Sequence, residues 1–431
     1  RSGWTITGRR TRIGTCRRSA SGIPLRKVGE GTMESMDLKS FRRRRIQEAM
    51  KSADVQILVA SLPQNIAYLT GGYVSVGQNV LCSSQAYAAY VLPEDQLYYI
   101  VGHAEIPSVL EFEGEDARIV PFGAFRFSYE DSFADKAKYC AYEWQTKGSA
   151  VQALMDTLGE LTEKSNLRIA LDTSRMPYET AAGILATFPY ASVSGAGVFY
   201  KARMIKAPEE IEWIARSAQV AEQALLDSLQ DFRPGDTEQD LGSYFRRHVA
   251  ECGAKDIFCV VTANKRAAFC DTVNQPVPIE RGSFIRVDYG CDYQGYTSDL
   301  SRTICVGTPD EKVVRLYDAI RAGTEAAIAA ARPGVRAGEL FQIAVETTRR
   351  CGIPEYRRHH VGHCLGLEVY DDPSITPDNQ TVLQAGMVLN IETPYYELGW
   401  GGVQVEDTVA ITENGAVRLD LSDNHLIVLD V

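Results

Sequence analysis

The C-terminal half of the chain contains a diverged internal repeat, and this repeat constrains the fold more than any other feature. Arg233-Pro-Gly235 recurs as Arg332-Pro-Gly334, and each copy is followed by a leucine and a Cys-Gly pair at the same offset of 99 residues. In both copies the Pro-Gly loop comes before a helical pattern that a glycine ends. Two copies of one helix-and-strand unit predict a pseudo-symmetric sheet with a site on its axis.

Each copy also contains a strand frame that consists of a glycine, five mostly apolar residues and a carboxylate. Gly282–Asp288 and Gly386–Glu392 have this frame, and each is followed by a second predicted strand that ends in Asp299 or Glu406. A carboxylate beside buried apolar residues costs free energy unless a positive group neutralises it. Together with His363, these four acids form a set of oxygen and nitrogen ligands that suits Mn²⁺, Fe²⁺, Co²⁺ or Zn²⁺. The pattern predicts a site for two cations about 3.5–4 Å apart that share bridging carboxylates.

Strand alternation predicts which of the polar residues face this site. Residues i and i+2 of a strand lie on one face, so Gln404 and Glu406 share a face and Asp407 points the other way. The strands around Asp288 and Asp299 are expected to pair as a hairpin through a connection at 290–295.

Charge and composition exclude several classes of function. The chain has 431 residues and a formal net charge of −11, yet residues 1–45 hold thirteen Lys and Arg against three Asp and Glu. The remaining body is therefore strongly acidic, which disfavours nucleic-acid binding. No apolar run reaches the roughly 18 residues of a membrane span. The ten cysteines form no CxxC pair, which is typical of reduced thiols and predicts a cytoplasmic protein.

The sequence suggests two domains after a leader. Residues 1–36 are rich in Arg, Ser, Gly and Thr, lack the apolar core of a secretory signal, and are expected to be a disordered leader or an extension. A long helix begins at Pro208, because proline suits the first helical position and acidic residues suit the first turn. We therefore predict an α/β domain at 37–203 and a second domain at 204–431. The elements expected in the first domain are strands at 54–60, 86–92, 96–101 and 167–171 and a helix near 147–163.

The motif-bearing segments together resemble the pita-bread metallopeptidases, a family that includes aminopeptidase P, prolidase, methionine aminopeptidase and creatinase. These segments are Val287–Gly290, Gly295–Thr303, Gly362–Leu367, Gly386–Glu392 and Val405–Thr412. The N-terminal region resembles the creatinase-type domain of the family, with Asn65–Gly71 as its cue. The resemblance covers 37–431. It implies an α+β fold in which a smaller α/β creatinase-type domain precedes a pita-bread catalytic domain, and it implies a homodimer.

The resemblance also implies roles for the candidate site residues. The implied metal ligands are Asp288 for the first ion, Asp299 and Glu406 as bridges, and His363 and Glu392 for the second ion. Glu392 would also assist deprotonation of the attacking water. His359 matches a histidine that contacts the substrate or the tetrahedral intermediate, with a structural hydrogen bond as the alternative. We expect a structural role for His360. The implied cofactors are two divalent ions, manganese, cobalt, iron or zinc.

Three residues depart from the pattern of aminopeptidase P and prolidase. Asp271 and Tyr370 stand where those enzymes carry histidines, and Gln404 stands where they carry an arginine. Asp271 would attract a cationic substrate group, and Gln404 removes a fixed positive charge, so we assign both to substrate binding. Tyr370 can donate a hydrogen bond but is a poor proton shuttle at its usual pKa of about 10, and we assign it to catalysis with Glu392 and His359. The expected site favours substrates with positive or amide character.

The sequence thus predicts a dinuclear metallohydrolase that cleaves a C–N bond, as an Xaa-Pro dipeptidase or aminopeptidase does. The expected partner is a small peptide or a small-molecule amide. The alternative within this class is a non-peptide amide hydrolase of the creatinase or ectoine-hydrolase type. The alternative from another class is a metal-free pseudoenzyme that serves as a binding module, which the complete ligand set disfavours.

Overall fold

The computed structural model describes residues 5–6, 37–80, 85–163 and 165–430. Apart from the two-residue strand β1 (Thr5–Ile6), the predicted leader at 1–36 lies outside the described residues. The chain divides into two compact units, of which one covers Met33–Arg203 and the other contains Met204–Val431. No helix in the described ranges is both long enough and apolar enough to cross a membrane.

The unit Met33–Arg203 is an α/β structure. Its described strands are β2 (Ile57–Ala60), β3 (Tyr87–Val91), β4 (Gln96–Gly102), β5 (Arg118–Phe122), β6 (Ile169–Leu171) and β7 (Ala191–Ser192). They form one sheet in the order β5-β4-β3-β2-β6-β7. The expected strand pair is the antiparallel hairpin of β3 and β4, whereas β2 and β6 run parallel. Its described helices are α1 (Leu38–Ser52), α2 (Pro63–Thr70), α3 (Val76–Val80), α4 (Ile106–Glu113), α5 (Lys136–Gln145), α6 (Ala150–Thr162), α7 (Tyr178–Thr187) and α8 (Gly195–Arg203).

The second unit contains two helix pairs, one from each copy of the repeat. The helices are α9 (Pro208–Asp231), α10 (Glu238–Glu251), α11 (Glu311–Ala330) and α12 (Ala337–Arg350). Helix α9 has proline in its first turn together with two acids, as the sequence predicted. Helices α10 and α12 each end at a cysteine, and the glycine that follows, Gly253 or Gly352, has a positive φ. A residue without a Cβ adopts this conformation at little cost, so glycine ends both helices.

The helix pairs cover a large sheet, to which β1 also belongs. The other described strands of this sheet are β8 (Lys255–Ala263), β9 (Phe284–Tyr293), β10 (Tyr296–Thr297), β11 (Leu300–Val306), β12 (Gly362–Cys364), β13 (Asp371–Ser374), β14 (Val388–Glu392), β17 (Glu406–Thr412), β18 (Gly415–Arg418) and β19 (Ile427–Leu429). A separate ribbon pairs β15 (Tyr395–Glu397) with β16 (Gly401–Val403). Apolar side chains of α9 and α10 pack on β8, β9 and β11, and those of α11 and α12 pack on β12, β14 and β17. Each helix pair therefore covers its own half of the sheet.

The predicted hairpin of β9 and β11 forms. Its turn lies at Gln294 and Gly295, both with positive φ, at the end of the predicted connection at 290–295, since β9 continues to Tyr293. Gly290 allows close strand approach, because a Cβ there would lie 2.1 Å from the backbone oxygen of Ser298. One detail of the strand prediction was wrong, because the second acid of each copy does not end a strand: Asp299 lies just before β11, and Glu406 is the first residue of β17.

Candidate metal centre

Three of the predicted ligands form a row across the large sheet. The strand register sets Asp288 on β9 opposite Ser301 on β11, Ser301 opposite Glu406 on β17, and Glu406 opposite Glu392 on β14. Paired strands are about 4.8 Å apart. The side chains of Asp288, Glu406 and Glu392 therefore lie on one face of the sheet, although Asp288 is more than a hundred residues away from the other two in the sequence.

The other two predicted ligands lie on the same face of the sheet, two residues further along the strand direction. Asp299 precedes Ser301 by two residues, and His363 on β12 pairs with Asn390, which precedes Glu392 by two residues. Asp299, His363 and Glu406 each place a ligand atom within 4.8 Å of the other two, and His363 Nε2 lies 3.6 Å from Asp299 Oδ2. The structure brings all five predicted ligands to one face, and their role in metal binding stays a prediction.

The acids of this cluster are protonated more readily than ordinary carboxyl groups. Burial raises the pKa of Asp299 and of Glu406 well above the usual range, and the neighbouring carboxylates raise both further. Burial also raises the pKa of Asp288 and raises that of Glu392 to about 7. For His363, burial lowers the pKa to about 4, so that its imidazole is neutral. Neutral imidazole and carboxylates are the forms that bind metals.

The residues present fit a divalent cation. His363 Nδ1 lies 3.0 Å from the carbonyl oxygen of Cys364, which fixes the tautomer with the free lone pair on Nε2. That Nε2 atom is buried and has no hydrogen-bond partner among the described residues. The Asn390 amide donates to Glu406 Oε1 at 3.2 Å and so orients that carboxyl group. A cation in the cluster would satisfy the imidazole nitrogen and neutralise the buried acids.

A neighbouring residue supplies positive charge beside Gln404, where the sequence led us to expect that charge to be missing. Arg286, fully buried on β9, donates from Nη1 to Gln404 Oε1 at 2.8 Å and to Asp288 Oδ2 at 3.3 Å. The Gln404 amide nitrogen in turn lies 3.4 Å from both Asp288 Oδ2 and Glu392 Oε2. A guanidinium therefore sits beside the first predicted ligand, and the substrate preference inferred from Gln404 stays a prediction. Asp407 faces the opposite side, as alternation predicted, and pairs there with Arg302 at 3.0 Å.

The remaining predicted residues differ in their exposure and in their contacts with the ligand cluster. The Tyr370 ring stacks on the His363 imidazole at 3.8 Å between centroids, and burial and the four acids raise its pKa. Asp271 is exposed and close enough to Asp288 to raise the pKa of that acid. His359 is exposed and contacts the ring of His360 at 4.3 Å. The Nδ1 atom of His360 is 3.3 Å from Glu392 Oε1.

Sequence reasoning missed Arg286, Asn390 and Arg358. The first two had a usable signal, because each lies two residues before a ligand on a strand and must share its face. Arg358 had none, because it lies in the loop between α12 and β12. Its terminal nitrogen is 3.7 Å from Glu392 Oε1.

Comparison with known proteins agrees with this geometry. The model of metallopeptidase family M24 matches residues 212–413, and that of the creatinase/prolidase N-terminal domain matches residues 42–205. The uncharacterized peptidase YqhT of Bacillus subtilis is 30% identical over 287 residues, which cover 65% of this chain and 80% of that protein. The chain belongs to metallopeptidase family M24. Membership of this family implies divalent metal ions.

Other M24 relatives extend the comparison. An Xaa-Pro dipeptidase of Pyrococcus furiosus is 37% identical over 227 residues, which cover 52% of this chain and 65% of that protein. The matched region thus spans less than two thirds of that dipeptidase. The solved structure of prolidase from Pyrococcus furiosus aligns with a TM-score of 0.69 and 27% identity over 88% of this chain and 99% of that one. Dipeptidase PepE from Mycobacterium ulcerans shares the fold, with a TM-score of 0.74 and 23% identity over 92% of this chain and 100% of that one. The predicted α+β fold, with a creatinase-type domain before a pita-bread domain, is confirmed.

Proposed function

We propose that this M24 chain is a metal-dependent hydrolase that cleaves Xaa-Pro-type peptide bonds. The observation that carries the proposal is the meeting of two buried carboxyl groups, those of Asp299 and Glu406, with the His363 imidazole, whose Nε2 lacks a hydrogen-bond partner among the described residues. The strand register places Asp288 and Glu392 on the same face of the sheet. Asp288, Asp299, His363, Glu392 and Glu406 would hold two divalent ions, with manganese as the first candidate. When bound, such ions lower the pKa of a water molecule and polarise the scissile carbonyl.

The side chains around the acids would complete the reaction. Glu392 would accept the proton of the attacking water, because its carboxylate lies among the predicted metal ligands, where that water would be held. His360 Nδ1 accepts a hydrogen bond from the backbone N–H of Gly362 at 3.3 Å, which supports a structural role for this histidine. The Tyr370 ring fixes the plane of the His363 imidazole. Its hydroxyl would donate a hydrogen bond to the reacting carbonyl, since a phenol with the usual pKa of about 10 is protonated at neutral pH.

Several finer features belong to the same proposal. Asp271 and Gln404 would line the substrate site. Each of the eight described cysteines is free, which supports a cytoplasmic location. A homodimer follows from the resemblance to the family. Neither a non-peptide amide hydrolase nor a metal-free binding module is favoured by the relatives named above.

The proposal is tested on the purified 431-residue chain after chelation and reconstitution with Mn²⁺, Co²⁺ or Zn²⁺. Metal analysis should give two divalent ions per chain, and Ala-Pro should be hydrolysed only by the reconstituted protein. His363→Ala should lose metal and activity, whereas His248→Ala, which changes a histidine paired with Asp231 and Glu251 instead, should keep both. A metal-free protein inert on every substrate would indicate a binding module, and hydrolysis of only cyclic or guanidino amides would indicate an amidohydrolase.

A further inference from the structure

The Tyr370 ring reaches the ligand cluster on a short loop at 365–370, between β12 and β13. Its side chain is more than half exposed, yet the ring stacks on the His363 imidazole with 3.8 Å between centroids and 23° between planes. A side chain with so much exposed surface is not held in place by a surrounding core. The position of this ring therefore depends on what fixes the backbone of the loop.

Residues outside the loop fix it at both ends. Near the first end, the carbonyl oxygen of Gly366 accepts hydrogen bonds from the backbone N–H of Thr297 at 2.8 Å and from its hydroxyl at 3.0 Å. At the other end, Tyr370 is followed by Asp371, the first residue of β13. The Nζ atom of Lys206 lies 3.7 Å from Asp371 Oδ2, and the two side chains are only 3% and 2% exposed. The second anchor of the loop is therefore a buried ion pair.

Lys206 is itself held in place, and the loop packs tightly against it. Its backbone N–H donates to the carbonyl oxygen of Gly386 at 2.8 Å. A Cβ atom added to Gly366 would lie 3.1 Å from Lys206 Cε and 3.0 Å from Asp371 Oδ2. The loop backbone thus contacts both partners of the ion pair, and a glycine permits this close approach.

Stability alone does not account for the ion pair. Its two charged atoms, at 3.7 Å, are beyond hydrogen-bond distance, and Lys206 Nζ has no hydrogen-bond partner among the described residues. Removal of two charges from water costs free energy that only a well-bonded pair offsets, so apolar side chains of similar size are often as stable or more stable. A buried ion pair can instead specify one arrangement of the chain.

We propose that Lys206 is a positioning residue of the metal centre. Through Asp371 it fixes the loop at 365–370 and so holds the Tyr370 ring against the His363 imidazole. Because the orientation of a ligating imidazole sets the direction of its lone pair, this contact would keep Nε2 aimed at the acids. The role in metal binding rests on the proposed function, whereas the placement of the ring does not.

The test follows the His363 imidazole by NMR in the metal-free chain with ¹³C-labelled histidine. The chain has six histidines, and His363→Gln assigns the signal of interest. A stacked aromatic ring shifts the protons of the imidazole upfield, so Tyr370→Leu should remove this shift. Lys206→Met should remove it as well. It should have no further effect when Tyr370→Leu is already present, because both changes act through one contact.

A double variant separates positioning from stability. Lys206→Met alone leaves the buried Asp371 carboxylate without its lysine and destabilises the protein. Lys206→Met together with Asp371→Leu replaces the pair by apolar side chains and should regain the thermal stability that the single variant loses. It should not regain the upfield shift, because an apolar contact is non-directional. The control is Lys312→Met, since Lys312 pairs with Glu397 at 2.8 Å in a more exposed position, and it should leave the shift unchanged.

Titration with Co²⁺ measures the consequence for metal binding. Loss of a group that orients a ligating histidine lowers metal affinity by about 10- to 100-fold. Tyr370→Leu and the double variant should each weaken Co²⁺ binding by about that factor, and their combination should weaken it no further. A wild type that binds no Co²⁺ would contradict the proposed function, while the NMR result would still decide whether Lys206 places the ring.

Three results would overturn the inference. The first is an upfield shift that persists in Lys206→Met. The second is a double variant that regains both the stability and the shift, which would mean that the ion pair only fills space. The third is a double variant that loses both together, which would assign the pair to folding and not to the placement of Tyr370.

Discussion

The contact between Arg286 and Gln404 allows a quantitative test of how this site distributes its positive charge. The perturbation is Gln404→Arg, made alone and together with Arg286→Met. In the wild type, Gln404 Oε1 accepts hydrogen bonds from Arg286 Nη1 at 2.8 Å and from the Tyr396 hydroxyl at 3.1 Å. An arginine at position 404 cannot accept either bond, and it would bring a second guanidinium against Arg286.

The magnitude follows from these two effects. A lost hydrogen bond to a charged group costs about 1.5–3 kcal/mol. Two like charges about 4 Å apart at an effective dielectric constant of about 20 repel by about 4 kcal/mol. The attraction of the new arginine to Asp288 and Glu392 is present with or without Arg286, so a double-mutant cycle removes it. We expect a coupling free energy of about 6 kcal/mol between positions 286 and 404.

Urea unfolding of the wild type, both single variants and the double variant measures this coupling. Each single variant should be destabilised, and Arg286→Met should restore stability to Gln404→Arg. Free energies of unfolding that add to within about 0.5 kcal/mol would refute the reasoning, because they would mean that the two side chains do not interact.

Three further predictions concern the metal centre. Gly362→Ala should lower the free energy of unfolding by at least about 3 kcal/mol, because Gly362 has φ +137° and a Cβ there would lie 2.0 Å from the carbonyl oxygen of Asn390. The control is Gly399→Ala, where φ is +93° but a Cβ would point into open space. This control should lower the free energy of unfolding by only about 1–2 kcal/mol. Divalent ions should raise the melting temperature more at pH 8 than at pH 5.5, measured by calorimetry. Glu392→Gln should lower kcat by about 10²- to 10⁴-fold with little change in KM, whereas the exposed Glu397→Gln should leave kcat unchanged.

The sign of the pH effect follows from the direction of the pKa shifts. A carboxyl group whose pKa is raised on folding contributes stability at low pH, which is lost as pH rises through the folded value, about 7 for Glu392. The metal-free protein is therefore destabilised by its four acids at pH 8, where a bound cation relieves the repulsion most. His360 and His363, with pKa values lowered to about 4, act in the opposite direction below about pH 6.5. Equal metal stabilisation at the two pH values would contradict this account.

The strand frames could be predicted from sequence because they depend on short-range periodicity. A period of two along Gly402–Asp407 correctly separated Gln404 and Glu406 from Asp407. The same rule applied to Arg286 and Asp288 would have found the buried cation. Periodicity did not show where β9 ends within the predicted connection at 290–295, because Gly290 allows close strand approach and the strand continues past it to Tyr293.

The sequence by itself determined the repeated frames, the two helix pairs and the set of acids and imidazole that can bind divalent ions, since each of these depends on residues a few positions apart. Only the tertiary structure decided how the charges around that set are balanced. The register of β9, β11, β17 and β14 sets Arg286 against Gln404, 118 residues away, and the fold of one loop brings Arg358 and His360 to Glu392. Periodicity fixes the face on which a side chain lies, but long-range strand pairing and loop conformation fix its neighbours across the sheet.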